Sequence, residues 1–416
     1  MKILMIAEDF PWPPLGGGLI RLGKMVEAVS AVGETDLFSL YDPHRTSPEI
    51  PSSLDVRRWE AVQYPGTSDP HWVRSWMLRR GTPREVAMRA ADRSPRLAFE
   101  QFVAKDYDVV WFSTAATFQW MGRPRLAPTI VDLMDLEDVK ARQKSSLQRV
   151  ERSTGGPREA VLLKGRAAWN RVNAYDWKVF QRSVAADVDH VLLCSDDDVQ
   201  RSGIPNAVAV PNTYGRPERS LGRQEVGTPP TILFQGSLHY GPNIDGVDWL
   251  IDDVAPHLWK EIPKAQIRLV GTTSPSVEAR HRPPAVVVAG RVPQMEPELA
   301  RADIAVVPLR MGSGTRLKIL ESFAHRIPVV STTIGADGLD VQDGVHLLLA
   351  DRPDEFARAC RRLIEDRALA RRLVDAAEQR FLDRYEWSNA KDRIQKLVCD
   401  VASAVAGSRD TTTPTL

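Results

Sequence analysis

The sequence contains two successive series in which short apolar segments alternate with helix-forming segments. This alternation is typical of a parallel sheet covered by helices, because parallel strands need crossover connections long enough to hold a helix. Between the two series lies the segment 213–230, which is rich in Gly, Pro, Arg and Glu and lacks apolar periodicity, as a linker does. The sequence therefore predicts an α/β protein with two Rossmann-like, doubly wound domains, residues 1–215 and 226–388, facing across a cleft.

The apolar segments give the predicted strands of each domain. Those of the first domain are a strand ending at Ala7, then Asp36–Leu40, Val56–Trp59, Asp108–Ser113, Pro128–Leu133, Val188–Cys194 and Ala207–Val210. Those of the second are Thr231–Gln235, Ala265–Val270, Ala285–Ala289, Ile304–Leu309, Pro328–Ser331 and His346–Leu349. The predicted helices include Leu19–Val32, Gly246–Trp259, Met295–Ala300, Thr315–Arg326, Pro353–Glu365 and Ala368–Tyr385. A last helix, 389–406, is expected to return to the first domain.

Composition excludes several classes of protein. With 416 residues, 43% hydrophobic and 26% charged, the chain has the balance of an ordinary globular protein of two or three domains. A net charge of +1 gives no overall field that would attract nucleic acid. Cys194, Cys360 and Cys399 lie far apart without metal-ligand spacing, which indicates a reducing compartment. The first apolar segment is too short for a signal sequence, so we expect a cytoplasmic protein.

The segment Pro308–Glu321 has the pattern of an anion site. An apolar strand ends in a turn that contains Gly312 and Gly314, and a helix-forming segment follows at once. The first amides of a helix lack internal partners and carry the positive end of its dipole, so they attract phosphate. Arg316 and Lys318 add positive charge there.

Glu321 follows Lys318 by three residues and therefore shares its helix face. A carboxylate accepts hydrogen bonds from a ribose diol, so the combination with a phosphate turn suggests a nucleotide. The alternative is that Lys318 and Glu321 form a solvated pair within the helix, which would contribute little.

Several spaced motifs of the second domain resemble those of one enzyme family. They are Phe234–Leu238 with Pro242–Asn243, Val288–Pro293, Ala302–Pro308, Pro308–Glu321, Pro328–Thr332 with Gly335–Leu339, and Asp343–Gly344. In order and spacing they resemble the retaining nucleotide-sugar glycosyltransferases of family four, group 1, which have the two-domain GT-B fold. The resemblance covers almost all of Thr231–Trp387 and is looser over Met1–Asn212. It implies a first domain that binds the acceptor and a second that binds the donor.

The resemblance also implies roles for single residues. Glu321 matches the second glutamate of the family's donor helix and is expected to bind the ribose hydroxyls. Ser313 stands where the first glutamate, which contacts the transferred sugar, would be. Ser237 replaces the family's diphosphate arginine, and Pro242 or Asn243 replaces its lysine. We therefore expect Arg316 and Lys318 to stabilise the leaving diphosphate without a metal. The remaining donor-binding candidates are Gly16, Gly17, Gly18, Gly236, Arg291, Gly312, Gly314 and Thr315.

Candidates on the acceptor side follow strands at the predicted cleft. Asp132 and Asp135 come after a first-domain strand, where the family places a residue that is often His. Either one is a candidate for orienting the acceptor hydroxyl, with Asp135 as the candidate catalytic base, or both simply cap the next helix. His239 follows Gly236 and is a candidate sugar contact, or else an ordinary loop residue.

Two other ligand classes are weighed against this interpretation. Ser195–Asp198 contains an Asp-x-Asp pair that is a candidate for metal binding, but its place before Val199 favours a helix cap and first turn. Gly16–Gly18 is a weak match to a dinucleotide fingerprint, because the third glycine would fall at Arg21. We therefore expect no metal and no cofactor, with the nucleotide sugar as a co-substrate.

Two basic segments of the first domain are candidates for contact with an anionic membrane. Trp72–Arg96 contains seven Arg among aromatic residues, and Val139–Arg182 contains eleven Lys or Arg and three Asp or Glu. Such segments bind anionic lipid surfaces or form an ordinary solvated face.

The sequence thus predicts a retaining glycosyltransferase that moves a sugar from a nucleotide diphosphate to an acceptor hydroxyl. The acceptor would be a glycan, a lipid-linked glycan or a small molecule, in the biosynthesis of a polysaccharide, glycolipid or natural product. The alternatives are a nucleotide-sugar 2-epimerase of the same fold, which would need a His in the cleft, and an inactive nucleotide-sugar-binding subunit, suggested by Ser313.

Overall fold

The computed structural model describes residues 1–14, 16–44, 47–65, 81–143, 157–222, 225–312 and 314–410, without the side chains of 157–167 and 405–410. Its contacts divide the chain into two units. Unit 1 comprises Met1–Pro211 and Ala390–Leu416, and unit 2 comprises Asn212–Asn389.

Unit 1 contains a sheet of seven parallel strands in the order β3-β2-β1-β4-β5-β6-β7. The strands are β1 Lys2–Ala7, β2 Glu34–Tyr41, β3 Arg58–Gln63, β4 Val109–Phe112, β5 Thr129–Met134, β6 His190–Leu193 and β7 Ala207–Ala209. The central strand β1 is almost wholly buried from Ile3 to Ala7. Its continuous apolar sequence is what a strand covered by helices on both faces requires.

The helices of unit 1 are α1 Gly17–Ser30, α2 Arg84–Arg89, α3 Ser94–Phe102, α4 Ala115–Trp120, α5 Pro157–Ala185 and α6 Asp196–Ser202. Helix α1 buries Leu22, Met25, Val26 and Val29, whose spacing places them on one face. A helical segment also begins at Glu137. At α6 the Ser195 hydroxyl accepts a hydrogen bond from the Asp198 amide at 3.0 Å. The predicted helix cap at Ser195–Asp198 is therefore confirmed.

Unit 2 contains a sheet of six parallel strands in the order β10-β9-β8-β11-β12-β13. The strands are β8 Thr231–Gln235, β9 Gln266–Val270, β10 Val286–Gly290, β11 Ile304–Val307, β12 Val329–Ser331 and β13 Leu348–Leu349. Tyr214 lies in the segment predicted as a linker, but its amide donates to the Tyr385 carbonyl at 3.1 Å. This end of the segment therefore packs as part of unit 2.

The helices of unit 2 are α7 Gly241–Asp248, α8 Ala255–Glu261, α9 Pro275–Glu278, α10 Glu296–Leu299, α11 Leu317–Ala324, α12 Pro353–Glu365 and α13 Arg367–Arg384. A π-helical turn, Trp249–Val254, joins α7 to α8. The prediction of one helix from Gly246 was wrong at its start. Pro242 lies in the first turn of α7, where its missing N–H costs no hydrogen bond.

The last helix, α14 Trp387–Asp410, begins in unit 2 and continues into unit 1. Within unit 1 it buries Ile394, Val398 and Val401. The Gln395 side chain donates to the carbonyl of Ala28 in α1 at 3.1 Å. Among the residues described, no helix combines the length and the apolar character needed to cross a bilayer.

Candidate functional site

In unit 2 the turn between β11 and α11 carries the predicted phosphate site. Gly312 has φ 130° and Gly314 has φ 76°, values that favour glycine. A side chain on Gly312 would also meet the Arg316 guanidinium, since an added Cβ would lie 2.7 Å from Nη2. Arg316 precedes the first residue of α11, and its Nη1 donates to the Gly314 carbonyl at 3.0 Å. The turn thus holds a guanidinium beside a helix N-terminus. Ser313 lies outside the described residues.

Lys318 lies in the first turn of α11 in an unusual environment for an ammonium. Its Nζ donates to the Asn243 side-chain oxygen at 2.8 Å and lies 4.4 Å from the centre of the Phe234 ring. Burial, together with the positive charge of Arg316, lowers the pKa of Lys318 to about 7. An anion bound beside this ammonium would raise that pKa and gain a strong electrostatic partner.

Glu321 lies one turn further along α11 and is oriented by two donors. The Tyr214 hydroxyl donates to Oε1 at 3.1 Å, and the Gln235 amide donates to Oε2 at 2.6 Å. Burial raises the pKa of Glu321, whereas these two hydrogen bonds lower it. A carboxylate accepts about four hydrogen bonds, so both oxygens keep acceptor capacity for a ligand diol.

A close backbone contact lies at the carboxyl edge of the same sheet. Gly236 follows β8 with φ 145°, and Gly271 follows β9 with φ 134°. A Cβ added to Gly271 would lie 1.8 Å from the Gly236 carbonyl oxygen, and one added to Gly236 would lie 3.1 Å from the Lys318 Nζ. The absence of a side chain at Gly236 leaves room for the Lys318 ammonium at the carboxyl edge of the sheet.

Two other predicted donor or acceptor residues of unit 2 are exposed. Arg291 follows β10 and has an exposed side chain. His239 precedes α7, and its Nδ1 lies 3.4 Å from the Thr272 carbonyl oxygen.

Thr315 is buried, and its carbonyl accepts from the Asn212 side chain at 3.2 Å. The structure therefore brings together Gly236, Gly312, Gly314, Thr315, Arg316, Lys318 and Glu321.

Three residues of this site were not predicted as site residues. Asn243 orients Lys318, while Tyr214 and Gln235 orient Glu321. Gln235, the last residue of β8, and Asn243, in the first turn of α7, lie within motifs that the sequence analysis marks, so their polar side chains were a usable signal. Tyr214 gave no such signal, because it belongs to the segment predicted as a linker.

In unit 1 the glycine triplet begins helix α1. Gly16 precedes the helix with φ 153° and ψ 166°, and its carbonyl accepts from the Ile20 amide at 2.9 Å. Gly17 and Gly18 form the first turn, and an added Cβ on Gly18 would meet no atom within 4 Å. The space above Gly18 is therefore compatible with the close approach of a ligand.

Asp132 lies in β5 and forms a buried ion pair with Arg21 of α1. Arg21 Nε lies 2.7 Å from Oδ2, and the two side chains are 2% and 4% exposed. Arg21 also donates to the Val210 carbonyl at 2.7 Å, so it links α1, β5 and the residue after β7. This arrangement favours a structural role for Asp132 over contact with an acceptor.

We expect Asp132→Asn to lower the free energy of unfolding by about 3 kcal/mol, because it leaves the Arg21 charge buried without a counter-charge. Urea unfolding followed by circular dichroism measures the loss. The matched control is Asp187→Asn, which breaks the partly exposed pair with Arg123 and should cost below about 1 kcal/mol. Equal losses in the two variants would contradict a buried, structural pair.

Asp135 lines a cavity of about 390 Å³ at the carboxyl edge of the sheet of unit 1. Its carboxylate pairs with Lys140 at 2.5 Å, and Lys140 also contacts Glu137 at 2.8 Å. Burial raises the pKa of Glu137, and the nearby charge of Lys140 opposes that rise. Asp135 is thus the predicted acceptor-side residue that lies at a cavity.

Comparison with known proteins points to one family. Residues 229–366 match the model of the family described as Glycosyl transferases group 1. Sucrose-phosphate synthase from Thermosynechococcus elongatus has a similar fold, with a TM-score of 0.68 and 17% identity over 97% of this chain and 100% of that chain. Residues 229–366 are therefore similar to group 1 glycosyltransferases, and the structural likeness shows the GT-B fold. The predicted α/β fold class, with two parallel sheets and their helices, is confirmed.

Two further proteins are similar to this chain. HepE from Anabaena, solved with UDP-glucose, matches with a TM-score of 0.60 and 13% identity over 96% of this chain and 100% of that chain. A Klebsiella pneumoniae protein, described as an uncharacterized 44.6 kDa protein in the cps region, is 24% identical over 384 residues, covering 86% of this chain and 89% of that protein. The alternatives of an epimerase or an inactive subunit are not favoured by these relatives.

Proposed function

We propose that this protein is a retaining glycosyltransferase that transfers a sugar from a nucleotide diphosphate to an acceptor hydroxyl. The observation that carries the proposal is the first two turns of α11. There the Lys318 ammonium and the Glu321 carboxylate lie one turn apart, beside the Arg316 guanidinium and the glycine turn. The two cations suit a diphosphate and the carboxylate suits a ribose diol.

HepE, which has a similar fold, was solved in complex with UDP-glucose, so uridine nucleotides are the first donors to test. Arg316 and Lys318 supply positive charge for the leaving diphosphate, and we propose that the reaction needs neither a metal nor a cofactor. Activity should therefore survive treatment with EDTA. Retention of configuration is part of the proposal and is tested by proton NMR of the anomeric centre in the product.

Membrane contact through the basic segments of unit 1 stays a prediction. Trp72–Arg96 and Val139–Arg182 lie partly outside the described residues. We propose a cytoplasmic enzyme whose acceptor is a glycan, a lipid-linked glycan or a small molecule, in the biosynthesis of a polysaccharide, glycolipid or natural product. Sedimentation with anionic vesicles tests this contact, because a protein that binds the lipid surface sediments with the vesicles and one that does not stays in the supernatant.

A thermal unfolding screen of UDP, GDP, dTDP, ADP and their sugars tests donor binding. A ligand at a hundred times its dissociation constant should stabilise wild type by roughly 2.7 kcal/mol. Arg316→Ala and Glu321→Ala should lose most of that shift, because they remove the phosphate and ribose partners. Arg372→Ala and Glu365→Ala, which change exposed residues of α13 and α12, are the controls and should keep it. A wild-type protein that responds to none of these nucleotides would contradict the proposal.

Donor binding should also depend on pH. Lys318 has a pKa of about 7 without ligand, and a bound diphosphate should raise it. Between these two pKa values binding takes up a proton, so affinity should fall as pH rises above 7, by up to about tenfold per unit. Titration calorimetry in buffers of different ionisation enthalpy measures the uptake. Lys318→Met should abolish it, and unchanged uptake in that variant would assign the proton to another group.

A further inference from the structure

The cavity of unit 1 lies where the carboxyl ends of its strands meet. Its wall includes Glu8 after β1, Tyr64 after β3, Thr114 after β4 and Met134 at the end of β5. Helices α2 and α5 supply further wall residues. Its volume of about 390 Å³ falls within the range of small-molecule sites, roughly 300 to 1,000 Å³. This edge of an open parallel sheet is where ligands usually bind.

The charges of the described wall residues are predominantly negative. Among the residues that the structure describes, four carboxylates and two cations line the cavity, namely Glu8, Glu85, Asp135 and Glu137 with Arg89 and Lys140. Both cations already contact other residues of the wall. Lys140 pairs with two of the carboxylates, and the Arg89 guanidinium lies 4.2 Å from the centre of the Tyr64 ring. An anionic ligand would therefore meet net negative charge.

The same carboxylates are held in place as hydrogen-bond acceptors. The Tyr64 hydroxyl donates to Glu8 Oε1 at 2.6 Å, and the Trp177 indole donates to Glu85 Oε1 at 3.2 Å. Each carboxylate accepts about four hydrogen bonds, so both keep capacity for hydroxyl donors of a ligand. The wall also contains Trp120 and Trp177, whose rings offer apolar surface beside these acceptors.

Met134, a residue of the same wall, has a strained backbone conformation. Met134 has φ 56°, a value that costs energy for a residue with a side chain, and the register of β5 shifts between Asp132 and Met134. The Met134 amide donates to Asp132 Oδ1 at 2.9 Å, so the buried Arg21–Asp132 pair holds the bulge in place. The bulge directs the chain that carries Asp135 along the cavity. Strain of this kind is concentrated at ligand sites.

We propose that this cavity binds the acceptor as an uncharged, hydroxyl-rich sugar and discriminates against acceptors that carry a carboxylate or phosphate on that sugar. Sugar hydroxyls donate to Glu8 and Glu85, and the aromatic rings pack against the ring carbons. The discrimination comes from repulsion between like charges. The identification of the ligand as the acceptor rests on the proposed function.

Saturation-transfer NMR on the full chain with saturating UDP tests the proposal. The probes are methyl glucoside and methyl galactoside, their disaccharides, and the matching methyl glucuronide and galacturonide. At least one neutral sugar should bind ten or more times more tightly than its uronide. The double variant Glu8→Gln/Glu85→Gln keeps an acceptor oxygen at both positions and removes two charges. It should lower the ratio of neutral-sugar affinity to uronide affinity by on the order of tenfold.

The matched control is Glu49→Gln/Glu100→Gln, which removes two charges from exposed positions of unit 1 and should leave the ratio unchanged. The proposal is overturned if uronides bind as tightly as neutral sugars, if no probe binds, or if the cavity variant keeps the wild-type ratio. The thermal shift with UDP in the same samples reports the donor site separately. If wild type binds the neutral sugars but UDP causes no thermal shift, the proposed function is contradicted while the sugar site in unit 1 stands.

Discussion

Lys318→Met should reduce sugar transfer by roughly 10²- to 10³-fold, the usual effect of removing one group that stabilises developing charge. The leaving diphosphate would lose an ammonium that Asn243 and the Phe234 ring hold in position. Methionine has a similar length and packs well against an aromatic ring. The variant therefore tests the charge with little change in shape. Steady-state kinetics with the donor found in the thermal screen measures the effect.

The folding of this variant should stay close to that of wild type. The lowered pKa of Lys318 shows that the folded protein disfavours its charge, so an apolar side chain removes a cost. Loss of the contact with Asn243 acts in the opposite direction. We expect the melting temperature to change by only a few degrees. Lys260→Met, at an exposed position of α8, is the control and should keep full activity. Transfer within threefold of wild type in Lys318→Met would exclude a role for this ammonium.

Gly271→Ala should destabilise unit 2 by at least about 4 kcal/mol, which places it among the most damaging single substitutions. The new Cβ would lie 1.8 Å from the Gly236 carbonyl oxygen and 2.8 Å from its carbon. Neither strand can move away easily, because Gly236 donates to Val270 at 3.0 Å and Gly271 donates to Gly290 at 2.8 Å. At about 2 to 4 °C per kcal/mol, calorimetry should show a fall of 8 °C or more, or no folded protein.

Gly344→Ala separates the two causes of this loss of stability, which are the steric clash of the new Cβ and the strain of a positive φ. Gly344 also has a left-handed backbone, with φ 70°, but an added Cβ there would meet no atom within 4 Å. It should cost only about 1 to 2 kcal/mol, the price of that conformation for alanine. If the two variants lose the same stability, the approach of the two strand ends does not limit the fold. If Gly271→Ala is much worse, the close contact between Gly271 and Gly236 is essential to the structure.

The sequence was most informative where a signal is local. The bounds of β8, Thr231–Gln235, and of α12, Pro353–Glu365, coincide with the prediction. In β8 a short apolar segment follows prolines and is fully buried, so composition alone identifies it. In α12 Pro353 begins the helix, and Phe356, Cys360 and Leu363 recur at helical spacing. The start of α7 was missed because Pro242 breaks most helices and is tolerated only in their first turn.

The candidate site was predicted in part for the same reason. Arg316, Lys318 and Glu321 belong to one segment, and their spacing on a helix sets which of them share a face. Their environments come from distant segments: Asn243 reaches Lys318 from α7, and Tyr214 reaches Glu321 from the start of unit 2. No spacing in the sequence gives those pairs. They require the register of strands and helices that only the packed core establishes.

The acidic segment that begins within β5 shows the same limit of prediction from sequence. Asp132 and Asp135 are three residues apart and looked equivalent as acceptor-side candidates. In the structure a bulge turns the chain between them, so that Asp132 is buried against Arg21 and Asp135 lies at a cavity. The sequence by itself determined the two parallel sheets and the anion turn, because apolar and helical periodicity are local properties. The tertiary structure decided which charges are buried and which face a ligand, because burial depends on what packs against them.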